Sequence, residues 1–102
     1  MSSAKYTPHY ELSVLQATVA EQRVNSFTGS ALKGVSELDM SVDQAVELIG
    51  YLTPVNFYKS MPSANDPDWF QDVYHLSYQD TVLYIKLTNY LHGTVVISFK
   101  ER

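Results

Sequence analysis

The sequence predicts an α+β domain: an antiparallel-dominated, twisted sheet with helices packed on one of its faces. Three observations carry this. Apolar residues in the first half recur at helical spacing, those in the second half alternate with a period of two, and the border falls near the turn signal Thr53-Pro54. A length of 102 residues fits a single domain over 1–102, with a helical half to about residue 52 and a β-meander over about 69–100.

The first helix is predicted over residues 11–24, where Leu12, Leu15 and Val19 form one apolar stripe. The turn-rich run NSFTG (25–29) ends it, and a short second helix is expected over 30–34. Ser41 and Gln44 have the spacing of a capping box, in which two side chains satisfy orphan backbone donors at a helix start. Val42, Ala45, Val46 and Ile49 then form a stripe, and Gly50 is the expected stop.

Three strands are predicted after this, over residues 69–77, 81–90 and 94–100, with MPSANDPD (61–68) as the loop before them. In the second strand Leu83, Ile85 and Leu87 point one way, and Val82, Tyr84, Lys86 and Thr88 the other. In the third, Val95, Ile97 and Phe99 oppose Val96, Ser98 and Lys100. Both strands must bury their odd-numbered apolar residues, so paired numbers sum to an even value. A three-residue loop Leu91-His92-Gly93 satisfies this and puts Gly93 in a left-handed position. Tyr90 then faces Thr94, Lys86 faces Ser98, and Tyr84 faces Lys100. In the first strand, Phe70, Tyr74 and Leu76 are assigned to the core. This sends Trp69, Gln71, Val73 and His75 to the face of Tyr84 and Lys100, because a core Gln71 without partners is costly.

Composition narrows the function classes. Hydrophobic content of 45% and charged content of 18% are globular. Without cysteine there is no disulfide or thiolate site, and His9, His75 and His92 lack ligand spacing, so neither a metal nor a cofactor is expected. A polar N-terminus and the lack of a long apolar run point to a cytoplasmic protein. The net charge of -4 speaks against a nucleic-acid-coating protein. The charge is uneven, however. Residues 1–54 hold three cations against six acids, and residues 55–102 hold Lys59, Lys86, Lys100 and Arg102 against five. An anion site is therefore expected in the second half.

One sheet face thus gathers Gln71, His75, Tyr84, Lys86, Ser98 and Lys100, with Lys59 arriving from the preceding loop. Lysines around a tyrosine and a glutamine suit a pentavalent phosphate with general acid–base work. A phosphodiester attacked by its own 2′-hydroxyl needs no metal, which would make the substrate RNA. The plainer reading is a polar, solvated sheet face, with Lys86 solvated and Tyr10, Tyr51 and Tyr90 as packing residues. Pattern alone leaves both readings open.

FYKSM (57–61), FQDVY (70–74), YIK (84–86) and ISFKE (97–101), with KYTPHYEL (5–12) and the run over 30–52, resemble in order and spacing the MqsR family of type II toxins. The resemblance implies a RelE-like, metal-independent mRNA interferase whose catalytic residues are Lys59, Gln71, Tyr84 and Lys100. It adds Tyr58, Met61, His75 and Lys5 as substrate-binding candidates. It also implies an antitoxin partner, a zinc-binding protein with a helix-turn-helix domain. His75 stands where the family commonly has arginine, and the acidic balance departs from basic relatives. Those departures motivate the alternative of a non-catalytic toxin-fold domain that binds an antitoxin or regulatory protein.

Overall fold

The computed structural model describes residues 4–89 and 93–102. Three helices, α1 (Leu12–Gln22), α2 (Gly29–Glu37) and α3 (Val42–Gly50), precede four strands, β1 (Phe57–Pro62), β2 (Phe70–Tyr78), β3 (Thr81–Leu87) and β4 (Val96–Glu101). The strands form one sheet in the order β1-β2-β3-β4, antiparallel throughout. This is the expected α+β architecture with one strand more. The FYKSM segment is itself the edge strand β1, and the expected loop therefore starts two residues late. Alternation in β1 is interrupted by a bulge at Tyr58, which hid its strand period.

The core lies between the helices and the inner sheet face. Leu15 and Val19 of α1, Ala31 and Val35 of α2, and Ala45, Val46 and Ile49 of α3 pack with Tyr74, Leu83, Ile85, Leu87, Val96 and Phe99. Fully burying each of the larger side chains contributes on the order of 2 kcal/mol. The helices that supply these stripes are short, so packing rather than propensity holds them. The capping box at α3 is formed, with Gln44 N donating to Ser41 Oγ (3.1 Å) and Ser41 N to Gln44 Oε1 (2.8 Å). Gly50 is not the stop. It is helical, and Gln16 Nε2 donates to the carbonyls of Ile49 and Leu52, both at 2.9 Å, in place of a glycine cap. Likewise NSFTG does not simply end α1. Residues Arg23–Ser26 form a 3₁₀ turn, Phe27 is buried, and Thr28 caps α2 by accepting from Ala31 N at 3.1 Å.

The last hairpin has the expected register over most of its length: Tyr84 pairs with Lys100, Ile85 with Phe99, and Lys86 with Ser98. Gly93 adopts the expected left-handed backbone, with φ of 78°. The Tyr90–Thr94 pairing and the rest of the loop lie outside the described residues. Past Lys86 the register slips, and Leu87 pairs with Val96. Ile97 is the inserted residue. Val96 is therefore buried in the core and Ile97 leaves it, the reverse of the strict alternation expected there. Helix α2 covers the outer side of β4 so closely that a Cβ on Gly34 would fall on the Phe99 carbonyl oxygen.

The N-terminal segment adds to the sheet edge. Lys5 and Ser60 exchange backbone hydrogen bonds at 2.7 Å in both directions. Four and five residues on, His9 N and Tyr10 N donate to the carboxylate of Asp72, each with a contact of 3.0 Å, and Asp72 is fully buried. Phe70 faces the helical side as expected, but it is covered by this segment rather than by the core: the His9 ring stacks on it at 4.8 Å and Lys5 Nζ lies 4.3 Å from its centroid. Tyr10 packs and hydrogen-bonds the Phe70 carbonyl at 2.8 Å, whereas Tyr51 is 65% exposed and is not a packing residue. Burial, with the Asp72 charge added, pushes the Tyr74 phenol up to about 12.

Asp72→Ala leaves two backbone N–H groups without an acceptor and is expected to cost about 1–3 kcal/mol. Denaturant unfolding measures the loss, and hydrogen exchange at His9 and Tyr10 should accelerate. Unchanged exchange at these two amides would show that the carboxylate does not hold the segment. Gly34→Ala should destabilise by about 1–3 kcal/mol through the forced retreat of α2 from β4. A melting temperature equal to that of the unsubstituted chain would contradict this.

Candidate active site

The sheet face turned away from the helices is built in rows. In one, His75, Tyr84 and Lys100 pair across β2, β3 and β4. In the next, Lys59, Val73, Lys86 and Ser98 cross all four strands, and Met61 pairs with Gln71 beyond them. Strands lie about 4.8 Å apart, so Lys59 and Lys86 stand roughly 10 Å from each other at the backbone. The parity argued for the glutamine strand holds: Gln71, Val73 and His75 share the face of Tyr84 and Lys86. Trp69 precedes β2 instead of joining that face. Its backbone closes the loop, with Ser63 N donating to its carbonyl at 2.6 Å.

Two bulges, one in each edge strand, add a side chain to this face. In β1 the extra residue is Tyr58, whose ring stacks on His75 with centroids 4.4 Å apart and planes 22° apart. The Tyr84 ring is 6.0 Å beyond His75. In β4 the extra residue is Ile97, which borders a groove with Met61, Gln71 and Lys86. The second bulge is pinned from the helical layer. Thr28, the cap of α2, donates through Oγ1 to the Ile97 carbonyl at 3.0 Å and through N to the Val96 carbonyl at 3.0 Å.

Charge is sorted between the two faces. Lys59, Lys86 and Lys100 lie on the open one, and Arg102, paired through its backbone to Val82, follows the same parity. Asp72 and Glu101, the two acids on the strands, lie opposite Leu87 and Leu83 and take the other face. Lys59 Nζ lies 5.4 Å from the Tyr58 ring centroid and Lys100 Nζ 5.3 Å from that of Tyr84. The ammonium groups therefore ride over ring faces.

These placements set the protonation states. Burial holds the Tyr84 phenol above its ordinary value, with Tyr58 adding to the rise. A Tyr84 activated by its lysine neighbour would require the opposite shift. The lysine lies over the ring, where it does little for a phenolate oxygen, so Tyr84 stays a neutral hydroxyl. Burial, then Arg102 and Lys59, hold the His75 imidazole below its ordinary value. It is neutral at pH 7 and does not act as a standing cation. Burial, then Lys100, lower Lys86. Lys86 is half-buried and not the solvated lysine expected from pattern.

The structure thus brings together Tyr58, Lys59, Met61, Gln71, His75, Tyr84 and Lys100. Lys59 comes on a strand and not on a loop. Lys5 is not among them: its ammonium sits with His9 Nδ1 at 2.7 Å and over Phe70, on the other side of the sheet edge. Ile97 and Thr28 are not marked by the sequence as site residues, and Arg102 enters there only as one of the cations of the second half. A signal for Ile97 exists in the run Val95-Val96-Ile97, since strict alternation would strand an apolar Val96 on a polar face.

Residues 7–101 match the family model described as motility quorum-sensing regulator, toxin of MqsA. The chain is also 36% identical, over 98 residues, to the mRNA interferase toxin MqsR of Escherichia coli (strain K12); the match covers 96% of this chain and 98% of that protein. The motifs that build the open face, FYKSM to ISFKE, all fall within the matched span, and the chain belongs to the motility quorum-sensing regulator family of toxins.

Proposed function

We propose that the open sheet face cleaves mRNA by metal-independent attack of the 2′-hydroxyl, and that the chain is the endoribonuclease toxin of a type II toxin–antitoxin pair. The observation that carries this is the cluster of Lys59, Lys86, Lys100 and Arg102 on one face around Gln71, His75 and Tyr84, with the strand acids on the other. Cations gathered on a face that the strand acids do not share suit a polyanion, and the likeness to a named mRNA interferase supports RNA as that polyanion. The partner that follows is an antitoxin of the MqsA kind, a zinc-binding helix-turn-helix protein. No helix among the described residues is long and apolar enough to cross a membrane.

The neutral imidazole of His75 takes the proton of the 2′-hydroxyl as its oxygen bonds to phosphorus. The P–O5′ bond breaks, and the Tyr84 hydroxyl gives its proton to the departing O5′. The products are a 2′,3′-cyclic phosphate and a 5′-hydroxyl end. Lys59 and Lys100 stabilise the charge that grows on the phosphoryl oxygens, and Gln71 orients the nucleotide. Tyr58 holds the imidazole in place by stacking and, at 48% exposed, offers its rim to a base.

Purified protein should cut a long mRNA in EDTA and leave cyclic-phosphate ends. Lys59→Ala and Lys100→Ala should each lose about 10²–10³-fold in rate. Cleavage that EDTA abolishes, or equal rates in all three proteins, would overturn the reading. Antitoxin binding without cleavage would make the chain a toxin-fold binding domain. The pH profile tests the acid–base assignment. A base must be unprotonated, so kcat/KM should rise with pH along a limb centred below 6.5, the ordinary histidine value, and fall again only above pH 10, where the Tyr84 phenol ionises. His75→Ala should lower the plateau about 10²-fold or more and remove the acid limb. An acid limb that persists in this variant assigns the base elsewhere.

A further inference from the structure

The cleavage steps give the RNA a direction on the sheet. His75, which takes the proton of the 2′-hydroxyl, stands on β2, and Tyr84, which serves the departing O5′, is its partner on β3. The nucleotide on the 5′ side of the cut therefore lies toward β1 and β2, where Tyr58 offers its ring. The nucleotide on the 3′ side leaves across β3 and β4. It carries a phosphate of its own, and none of the cleavage steps gives that charge a partner.

Three cations stand on this half of the face: Lys86, Lys100 and Arg102. Lys100 pairs with Tyr84 and is engaged at the scissile phosphate. Lys86 is half-buried, one row back, and burial and then Lys100 already disfavour its charge. Arg102 lies one row on. Its backbone N donates to the Val82 carbonyl at 2.8 Å, which continues the pairing of Lys100 with Tyr84 and Glu101 with Leu83. Two residues along a strand span about 6.8 Å, and diagonal neighbours across a pair stand about 7–8 Å apart. Arg102 is thus one row from Lys100 and diagonal to Tyr84, a step that one nucleotide bridges. Its side chain is exposed, and after burial it is the larger of the two charges that depress the His75 imidazole. Two acids border it, Asp80 and Glu101. Glu101 accepts from Thr81 Oγ1 at 2.5 Å on the other face, and among the described residues neither acid forms an ion pair with Arg102. A guanidinium fork that no carboxylate of the protein takes suits a phosphate held through two oxygens.

We propose that Arg102 binds the first phosphate on the 3′ side of the cut, so that the RNA crosses the open face from β1 toward β4 in the 5′ to 3′ direction. The direction rests on the RNA-cleaving reading above; the phosphate contact does not.

Two experiments test them separately. In the first, the cut is mapped on an oligoribonucleotide, and the next phosphate on its 3′ side is replaced by an uncharged methylphosphonate. This should lower kcat/KM of the unsubstituted chain about tenfold. Arg102→Gln should lose about tenfold on the ordinary oligonucleotide and nothing further on the methylphosphonate. A loss that acts only through the His75 imidazole, or through the fold, would not depend on that one phosphate. No penalty in the unsubstituted chain, or one that persists in Arg102→Gln, overturns the assignment. A penalty that only Lys86→Gln removes gives the phosphate to Lys86 and overturns it too. The second experiment measures binding of a 2′-O-methyl oligonucleotide, which has no hydroxyl to attack, as a function of salt. Loss of one phosphate contact to a single strand should reduce the slope of log Kd against log salt concentration by about 0.7 in Arg102→Gln. Lys33→Gln, which removes an exposed cation of α2, should keep the slope. An unchanged slope in Arg102→Gln, or an equal fall in Lys33→Gln, overturns the contact. If the slope falls in Arg102→Gln alone but no RNA is cut, Arg102 holds a phosphate, and the nuclease reading fails and the direction with it. If RNA is cut and neither readout responds to Arg102→Gln, the nuclease stands and this proposal fails.

Discussion

The sheet can be buried on one face only, and most of the molecule follows from that. Three short helices supply a core of small and branched side chains sufficient to cover Tyr74, Leu83, Ile85, Leu87 and Phe99. Among the described residues, no helix covers the other side of the sheet. A period of two then sends every second strand residue to that open face. Four of the seven cations in the chain sit at positions of that parity. The same constraint explains Asp72, which has the inner parity but lies past the helical layer. It is buried under residues 9 and 10, whose N–H groups replace the water that it loses.

Alternation alone would give a flat row of charges. The bulges turn it into a site. A bulge inserts one residue and twists the strand locally, and edge strands tolerate this because one side of their ladder is unpaired. Tyr58 thereby reaches the His75 ring, and Ile97 reaches the groove beside Lys86. Neither bulge is a lone irregularity. Lys5 pairs with Ser60 just past the first, and Thr28 holds both carbonyls of the second. Since Thr28 is also the cap of α2, the helix that covers β4 and the shape of the groove are set by one side chain. Gly34, on the same helix, lets α2 approach the backbone next to Lys100.

Much of this was legible in the sequence, and the parts that were not share a cause. Local patterns with one physical reading came through: the Ser41–Gln44 box, the left-handed Gly93, and the Tyr84–Lys100 pairing that follows from parity. Wherever a bulge breaks parity, the reading slipped by one residue. FYKSM loses its strand period to the Tyr58 bulge, and Val96 and Ile97 trade faces at the Ile97 bulge. Helix ends slipped for another reason. Gly50 has the residue type of a stop, but it stays helical, and the carbonyls of Ile49 and Leu52 on either side of it are taken by Gln16, distant in sequence. Lys5 shows the limit of a motif match, because adjacency in a motif does not tell which side of a sheet edge a side chain takes. The protonation of Tyr84 depended on whether the lysine meets its oxygen or its ring, which pairing alone does not fix.

Net charge was the weakest guide, and its failure is instructive. A total of -4 looks hostile to RNA, but six of the eleven acids precede residue 55 and the two on strands take the other face of the sheet. The sheet and the helical layer stand between these charges and the open face, and at physiological salt exposed charges are largely screened beyond about 8 Å. An approaching strand of RNA is governed by the local cluster of Lys59, Lys86, Lys100 and Arg102. Within that cluster a further permanent charge is costly: burial lowers Lys86, and Lys100 adds to the effect. Histidine at position 75 answers this. Burial, then Arg102 and Lys59, hold its proton off at neutral pH, and what would be one more repelling cation becomes a neutral nitrogen able to accept a proton. The departure from arginine therefore need not weaken the site. In the proposed mechanism it exchanges one phosphate contact for a base positioned between Tyr58 and Tyr84.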